Sequence, residues 1–162
     1  MSYHSISSTT LGSTSSSVTL SSILSSYTDL VLIITTTVSS LDPSLRLRFN
    51  GDTSTNYSYQ NVIGYSGGAI AQIGGSVNHT RIAGQGATDT MNFYTCNVFD
   101  YANATTYKTQ LSRGVAPGNS SAVDAHVGLW RSTAAITSME IFLSAGTFSS
   151  GSVFALYGIK AA

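Results

Sequence analysis

Residues 136–160, ITSMEIFLSAGTFSSGSVFALYGIK, constrain the fold more than any other stretch of the chain. From Ile136 to Leu143 the residues alternate, with Met139, Ile141 and Leu143 on one side of an extended backbone. Ser152 to Lys160 is a second apolar run carrying β-branched and aromatic side chains. The connection between them, AGTFSSG, is short and punctuated by glycine and serine, which predicts two antiparallel strands joined as a hairpin. A hairpin on its own is marginal in water, so the remaining chain must supply flanking strands and an opposing sheet.

It has the material to do so. Tyr27–Ser39 (YTDLVLIITTTVS) is continuously apolar in its middle, as expected of a central strand covered on both faces. Leu45, Leu47 and Phe49 alternate with Arg46 and Arg48, which predicts three side chains in and two out. Asp42-Pro43 and Asn50-Gly51-Asp52 supply turn chemistry, and Asn56–Ile63 continues as a strand with Tyr57 and Tyr59 on one face. The glycine-rich Gly64–Gly75 reads as a loop with at most one helical turn.

Val77–Ala83 is a weak strand, and Asp89–Phe99 is a strong one, with Met91, Phe93, Thr95, Asn97 and Phe99 on one face. Tyr107–Val115 and Ala125–Ser132 are two more, separated by Pro117-Gly118-Asn119. Residues 1–26 are serine-rich, but Val18, Leu20 and Ile23 predict at least one strand there, so this segment is either a docking arm or the first strands. The expectation is an all-β protein: an antiparallel, jelly-roll-like β-sandwich of about eight to ten strands with little helix, its main domain running over 27–162.

At 162 residues the chain is long enough for one domain with a sizeable core. Seven basic residues balance seven acidic ones, which removes the electrostatic case for nucleic acid or an anionic membrane as partner. Serine and threonine make up 48 of the 162 residues, so hydroxyls wet the surface in place of charges. Low charge also means little repulsion between copies, which suits a protein packed against neighbours. The lone Cys96 excludes an internal disulfide framework and reads as a small core residue. The N-terminus has no secretory signal, and Leu30–Ile34 is too short to span a bilayer, so cytoplasmic synthesis without export is expected.

Chemistry is sparsely marked. Gly64-Tyr65-Ser66-Gly67-Gly68 fits the nucleophile-elbow pattern, with Asp124 and His126 following in order, but no α/β alternation surrounds it. Glu140 is the sole glutamate, and His4, His79 and His126 lack metal-ligand spacing. The chain is expected not to be an enzyme and to need no cofactor or metal. Four N-x-S/T sequons, at Asn56, Asn78, Asn103 and Asn119, follow from a hydroxyl-rich composition and carry no weight. Trp130, Tyr57 and Tyr59 are the candidates for a sugar-stacking platform, against the plainer reading that Trp130 packs in the sandwich.

The segments YTDLVLIITT, LRLRFNGDTSTNYSY and ITSMEIFLSAGTFSSGSVFALYGIKAA together resemble a family of tailed-bacteriophage structural proteins found on heads, fibres and tail tips. The resemblance covers most of 27–63 and 136–162 and implies a jelly-roll-like module with a virion role; no functional residues carry over. Without a coiled-coil shaft, collagen-like repeat or second domain, the chain is expected to be a decoration (cement) protein on the outer head surface. Its implied partners are itself, as a homo-oligomer with a trimer favoured, and the major capsid protein. The alternative is a receptor-binding module for host glycans on a fibre or tail tip.

Overall fold

The computed structural model describes residues 2–40, 43–88, 90–117 and 122–160, which form twelve strands and no helix. In chain order these are β1 (Ser2–Thr10), β2 (Ser17–Leu20), β3 (Asp29–Thr36), β4 (Leu45–Phe49), β5 (Tyr57–Tyr65) and β6 (Gly68–Val77). They continue with β7 (Thr80–Ala83), β8 (Asn92–Phe99), β9 (Lys108–Ala116), β10 (Ala122–Trp130), β11 (Met139–Leu143) and β12 (Val153–Lys160). Asp42, Asp89, Gly118 and Asn119, which figure in the expected turns, strand start and sequons, lie outside the described residues.

Two antiparallel sheets face each other. One has eight strands in the order β1-β12-β3-β8-β9-β10-β5-β6, the other four in the order β2-β11-β4-β7. Setting aside the hairpins β5–β6 and β9–β10 leaves β1-β12-β3-β8 against β2-β11-β4-β7. Numbered in chain order, those eight strands read 1-8-3-6 over 2-7-4-5, the strand order of a jelly roll. The two inserted hairpins both widen the same sheet.

The core lies between the sheets and follows the period-two pattern. Leu45, Leu47 and Phe49 of β4 are buried while Arg46 and Arg48 point out, as the alternation requires. Opposite them lie Leu30, Leu32 and Ile34 of β3 and Phe154 and Leu156 of β12, all without exposed surface. Cys96 is buried on the inner face of β8. At the Asn50-Gly51 turn both residues have positive φ, 53° and 66°, and Asp52 N–H closes it on Phe49 C=O at 2.9 Å.

Two expectations need correction, and a third had left two alternatives open. The C-terminal pair is not a hairpin. β11 lies between β2 and β4 in the small sheet, whereas β12 lies between β1 and β3 in the large one. The connection crosses the sandwich instead, and Phe148 in its middle is fully buried, bridging to both Ser15 and Val38. A hydrophobic side chain in the connector is what an inter-sheet crossing needs and a hairpin tip does not.

Gly64–Gly75 is not a loop: it is the end of β5, a two-residue turn at Ser66-Gly67 and most of β6. Of the two readings of residues 1–26, docking arm or first strands, the described residues give strands. Ser2–Thr10 pairs with β12 and Ser17–Leu20 with β11, completing one edge of each sheet. The strand count therefore exceeds the expected eight to ten, the additions being β1 and β6. Both are edge strands of the large sheet, and most of their side chains are exposed. An edge strand is held by one ladder of main-chain bonds, so serine and glycine suffice where a buried strand would need apolar residues.

Candidate interaction surface

The side chains that stand out are those the core does not use. On β8, β9, β10, β5 and β6, the residues alternating outward from the large sheet are largely apolar. Across the strands Phe93 opposes Val115 and Val115 opposes Val123. Two rows further, past the row that holds Arg113 and Ala125, Leu111 opposes Val127, Val127 opposes Gln60, and Gln60 opposes Ile73. Ile73 is 73% exposed and Val127 56%. Toward the other edge the field continues through Ile33 and Ala155, which are half-buried. Among the described residues Arg113 is the one charged side chain on the outward face of those five strands.

A shallow groove of about 490 Å³, lined by Val62, Ala71, Ile73, Ala125 and Val127, runs along β10, β5 and β6. Apolar residues scattered singly on a surface need no explanation, but a contiguous field of them marks an interface. Sequence reasoning found Phe93 and Phe99 on one face. It could not say that this face is the outer one, because an alternating strand reads the same whichever side is wet.

The proposed sugar-stacking residues lie elsewhere and are interior. Tyr57, Tyr59 and Trp130 are all buried, at 0%, 8% and 3% exposure, so a glycan in solvent cannot reach their rings. Trp130 stacks on Tyr57 at 6.1 Å and tilts against Phe49 at 5.5 Å, and its Nε1–H donates to Asp52 Oδ2 at 2.7 Å. Burial on its own would raise the Asp52 carboxyl. The hydrogen bonds from Trp130, Asn56 and Ser54 outweigh that and hold it down at about 2. The cluster therefore locks the Asn50–Asp52 turn to β10 and is structural.

Ser66 is exposed at the β5–β6 turn, whereas Asp124 and His126 face the interior of β10. They pair with each other, Asp124 Oδ2 lying 3.2 Å from His126 Nε2, and Asp124 Oδ2 also accepts Gly84 N–H at 2.7 Å. The elbow-like motif is thus split between a solvent-exposed turn and the core. Among the described residues no three His, Cys, Asp or Glu side chains converge as a metal site.

His79 is buried beside three arginines. Burial first, then the charges of Arg46, Arg81 and Arg48, push its imidazole down to about 4. An ordinary histidine in the unfolded chain titrates near 6.5, so the unfolded state takes up the proton first as pH falls. The stability contributed by neutral His79 is complete above about pH 6.5 and is lost from there down toward pH 4, at up to about 1.4 kcal/mol per pH unit. Urea unfolding of His79→Gln should lack that slope between pH 6.5 and 4; an unchanged slope would assign it to another group.

The chain matches no protein-family model and no curated protein.

Proposed function

We propose that this chain is a virion structural protein that forms a homo-oligomer on the outer surface of a tailed-bacteriophage head and clamps the major capsid subunits beneath it. The observation that carries the reading is the apolar outer face of the large sheet. A second copy of the same chain is the occupant it suits best. The face is nearly uncharged, the whole chain has no net charge to oppose self-association, and two sheet faces of the same twist pack aligned on each other. Seven strands about 4.8 Å apart and about 20 Å long offer roughly 600 Å² per copy in projection. Two such faces reach about 1,200 Å², the lower end for a stable interface.

Contact with the capsid then falls to the remaining surface. β1 is a nine-residue edge strand with no lysine, arginine or proline to discourage pairing, and its free edge suits addition to a strand of a capsid subunit. The register shift between Ser5 and Ser7 divides that edge into two short stretches. Each contact of this kind is modest, and many copies acting together supply the clamp. The resemblance of 27–63 and 136–162 to phage structural modules supports the virion setting; the trimer it implied gives way to a two-fold dimer, because a face that packs on its own copy closes with two subunits.

Heads expanded but lacking the protein, mixed with the purified chain, should bind it in hundreds of copies and survive heating better than bare heads. A chain that leaves heads bare, yet is retained on host cells, would turn the reading to a receptor-binding module.

A further inference from the structure

The outer surface of the small sheet, on the side of the sandwich away from the apolar face, gathers positive charge. Arg46 of β4 and Arg81 of β7 are direct cross-strand partners, and Arg48 lies two residues further along β4. Like charges placed opposite each other destabilise a sheet. This chain has only seven cationic side chains and sets three of them here.

Arg48 is answered by Glu140 at 3.3 Å. Arg46 and Arg81 have no carboxylate partner among the described residues. Arg46 Nε donates to Ser44 Oγ at 3.2 Å, and Arg81 Nη1 donates to Gln72 Oε1 at 2.7 Å while its guanidinium lies 4.7 Å over the Tyr59 ring. The nearby Asp124 is engaged behind Gly84 by His126 and the Gly84 amide.

Between the two guanidiniums and the overhanging β5–β6 hairpin lies a cleft of about 350 Å³, with Ser44, Ser144, Gln72 and Gln85 on its walls. Gly128 makes room for this arrangement. A Cβ there would sit 2.1 Å from Thr80 Oγ1, so its absence lets β7 lie directly over β10. Two residues of the lining each carry a buried polar atom without a partner, Arg81 at the donor Nε and Gln85 at the acceptor Oε1. An unpaired buried polar atom costs roughly 1–3 kcal/mol, and a cleft that pairs two guanidiniums beside two such atoms is built for something that satisfies them. What fits must bring an oxyanion for the arginines and a hydroxyl donor for Gln85.

We propose that this cleft binds a small hydroxylated carboxylate, specifically the uronic-acid unit of an acidic saccharide. The carboxylate bridges Arg46 and Arg81, one ring hydroxyl donates to Gln85 Oε1, and another accepts from the Ser44 hydroxyl. Arginine favours this role because its planar fork matches a carboxylate's two oxygens. Burial first, then the Arg81 charge, lowers Arg46 from its ordinary value, with Tyr59 opposing and Arg48 adding a smaller push. The site shares no residue with the apolar outer face and stands independently of the virion reading.

Titration of the full chain with glucuronate, glucose, sulfate and phosphate, followed by calorimetry and by amide shifts of β4 and β7, tests it. Glucuronate should bind saturably, glucose should not, and the two inorganic anions should bind more weakly. Arg46→Gln and Arg81→Gln should each weaken glucuronate binding by about tenfold or more, the loss of a charge-assisted pair. Arg46→Gln should also leave the melting temperature unchanged or raised, since it removes a repulsion, so lost binding cannot be ascribed to unfolding. Arg113→Gln, on the other face, should bind as wild type does. No saturable glucuronate binding, equal binding by the Arg46→Gln protein, or sulfate and phosphate binding as tightly as glucuronate would each overturn the assignment.

Discussion

Phe154→Ala will lower the unfolding free energy by about 3–5 kcal/mol, the range for deleting a fully buried aromatic ring. Phe154 is on β12 and meets Phe148 edge-on, with ring centroids 5.0 Å apart and planes at 77°. Phe148 belongs to the segment that crosses from the small sheet to the large one, so this pair ties the crossing to β12, which is paired on both sides in the larger sheet. Removing the ring leaves a void in a core whose other residues sit on two sheets and cannot collapse into it.

For a chain of this length that loss corresponds to a melting point about 10 °C lower. Denaturant unfolding should show the midpoint moving with little change in slope. A double-mutant cycle with Phe148→Ala should return a coupling of about 0.5–1.5 kcal/mol. If Phe154→Ala cost less than about 1 kcal/mol, the crossing segment would not be anchored as described. Phe142→Ala supplies the contrast. Its half-buried ring carries the Arg48 guanidinium at 4.2 Å on the outside of the small sheet, and its loss should cost about 1 kcal/mol or less.

The paired substitution Leu111→Asp and Val127→Asp will abolish self-association while leaving the fold intact. These residues are direct partners on β9 and β10 in the middle of the outward apolar field. Neither contributes to the core, being 43% and 56% exposed, so the monomer should lose no more than about 1 kcal/mol. In an interface between copies, aspartates facing each other lose hydration and repel. A cost of about 2.7 kcal/mol corresponds to a hundredfold weaker dissociation constant, and the pair should exceed it. Sedimentation equilibrium across a concentration series reads this directly. A wild-type chain that stays monomeric throughout, or a double variant that associates as well as wild type, would sink the self-association reading and leave the field for another partner.

The sequence was most informative where burial leaves a period. The LRLRF alternation maps onto β4 residue by residue, and the long apolar run of 27–39 contains β3. The turn at Asn50-Gly51 was legible because only a few residue types tolerate positive φ. β1 and β6 were not legible, for the opposite reason. Their side chains are mostly wet, so no periodic signal marks them, and their pairing is done by main-chain groups that every residue has.

The candidate sites were hidden by the same logic. Val62, Leu111 and Val127 look like core residues in a one-dimensional reading, and for Tyr57, Tyr59 and Trp130 a surface platform stood open beside the plainer reading, packing in the sandwich, which their burial bears out. Only the packing of the sheets assigns one set outward and the other inward. Arg46 and Arg81 are thirty-five positions apart, and nothing local announces that β4 and β7 set them side by side.

By itself, then, the sequence determined the all-β class, the positions of its better-buried strands and the neutral, hydroxyl-rich character of the surface. Those properties are local: they follow from residue type and period, which no partner strand can alter. The tertiary structure alone decided that β11 and β12 part company into opposite sheets, that two inserted hairpins widen one sheet to eight strands, and which apolar face the sandwich leaves uncovered. Those are matters of pairing between segments far apart in the chain. An antiparallel strand offers the same backbone ladder to any neighbour, and the choice among neighbours is made by how the faces fill the space between two sheets.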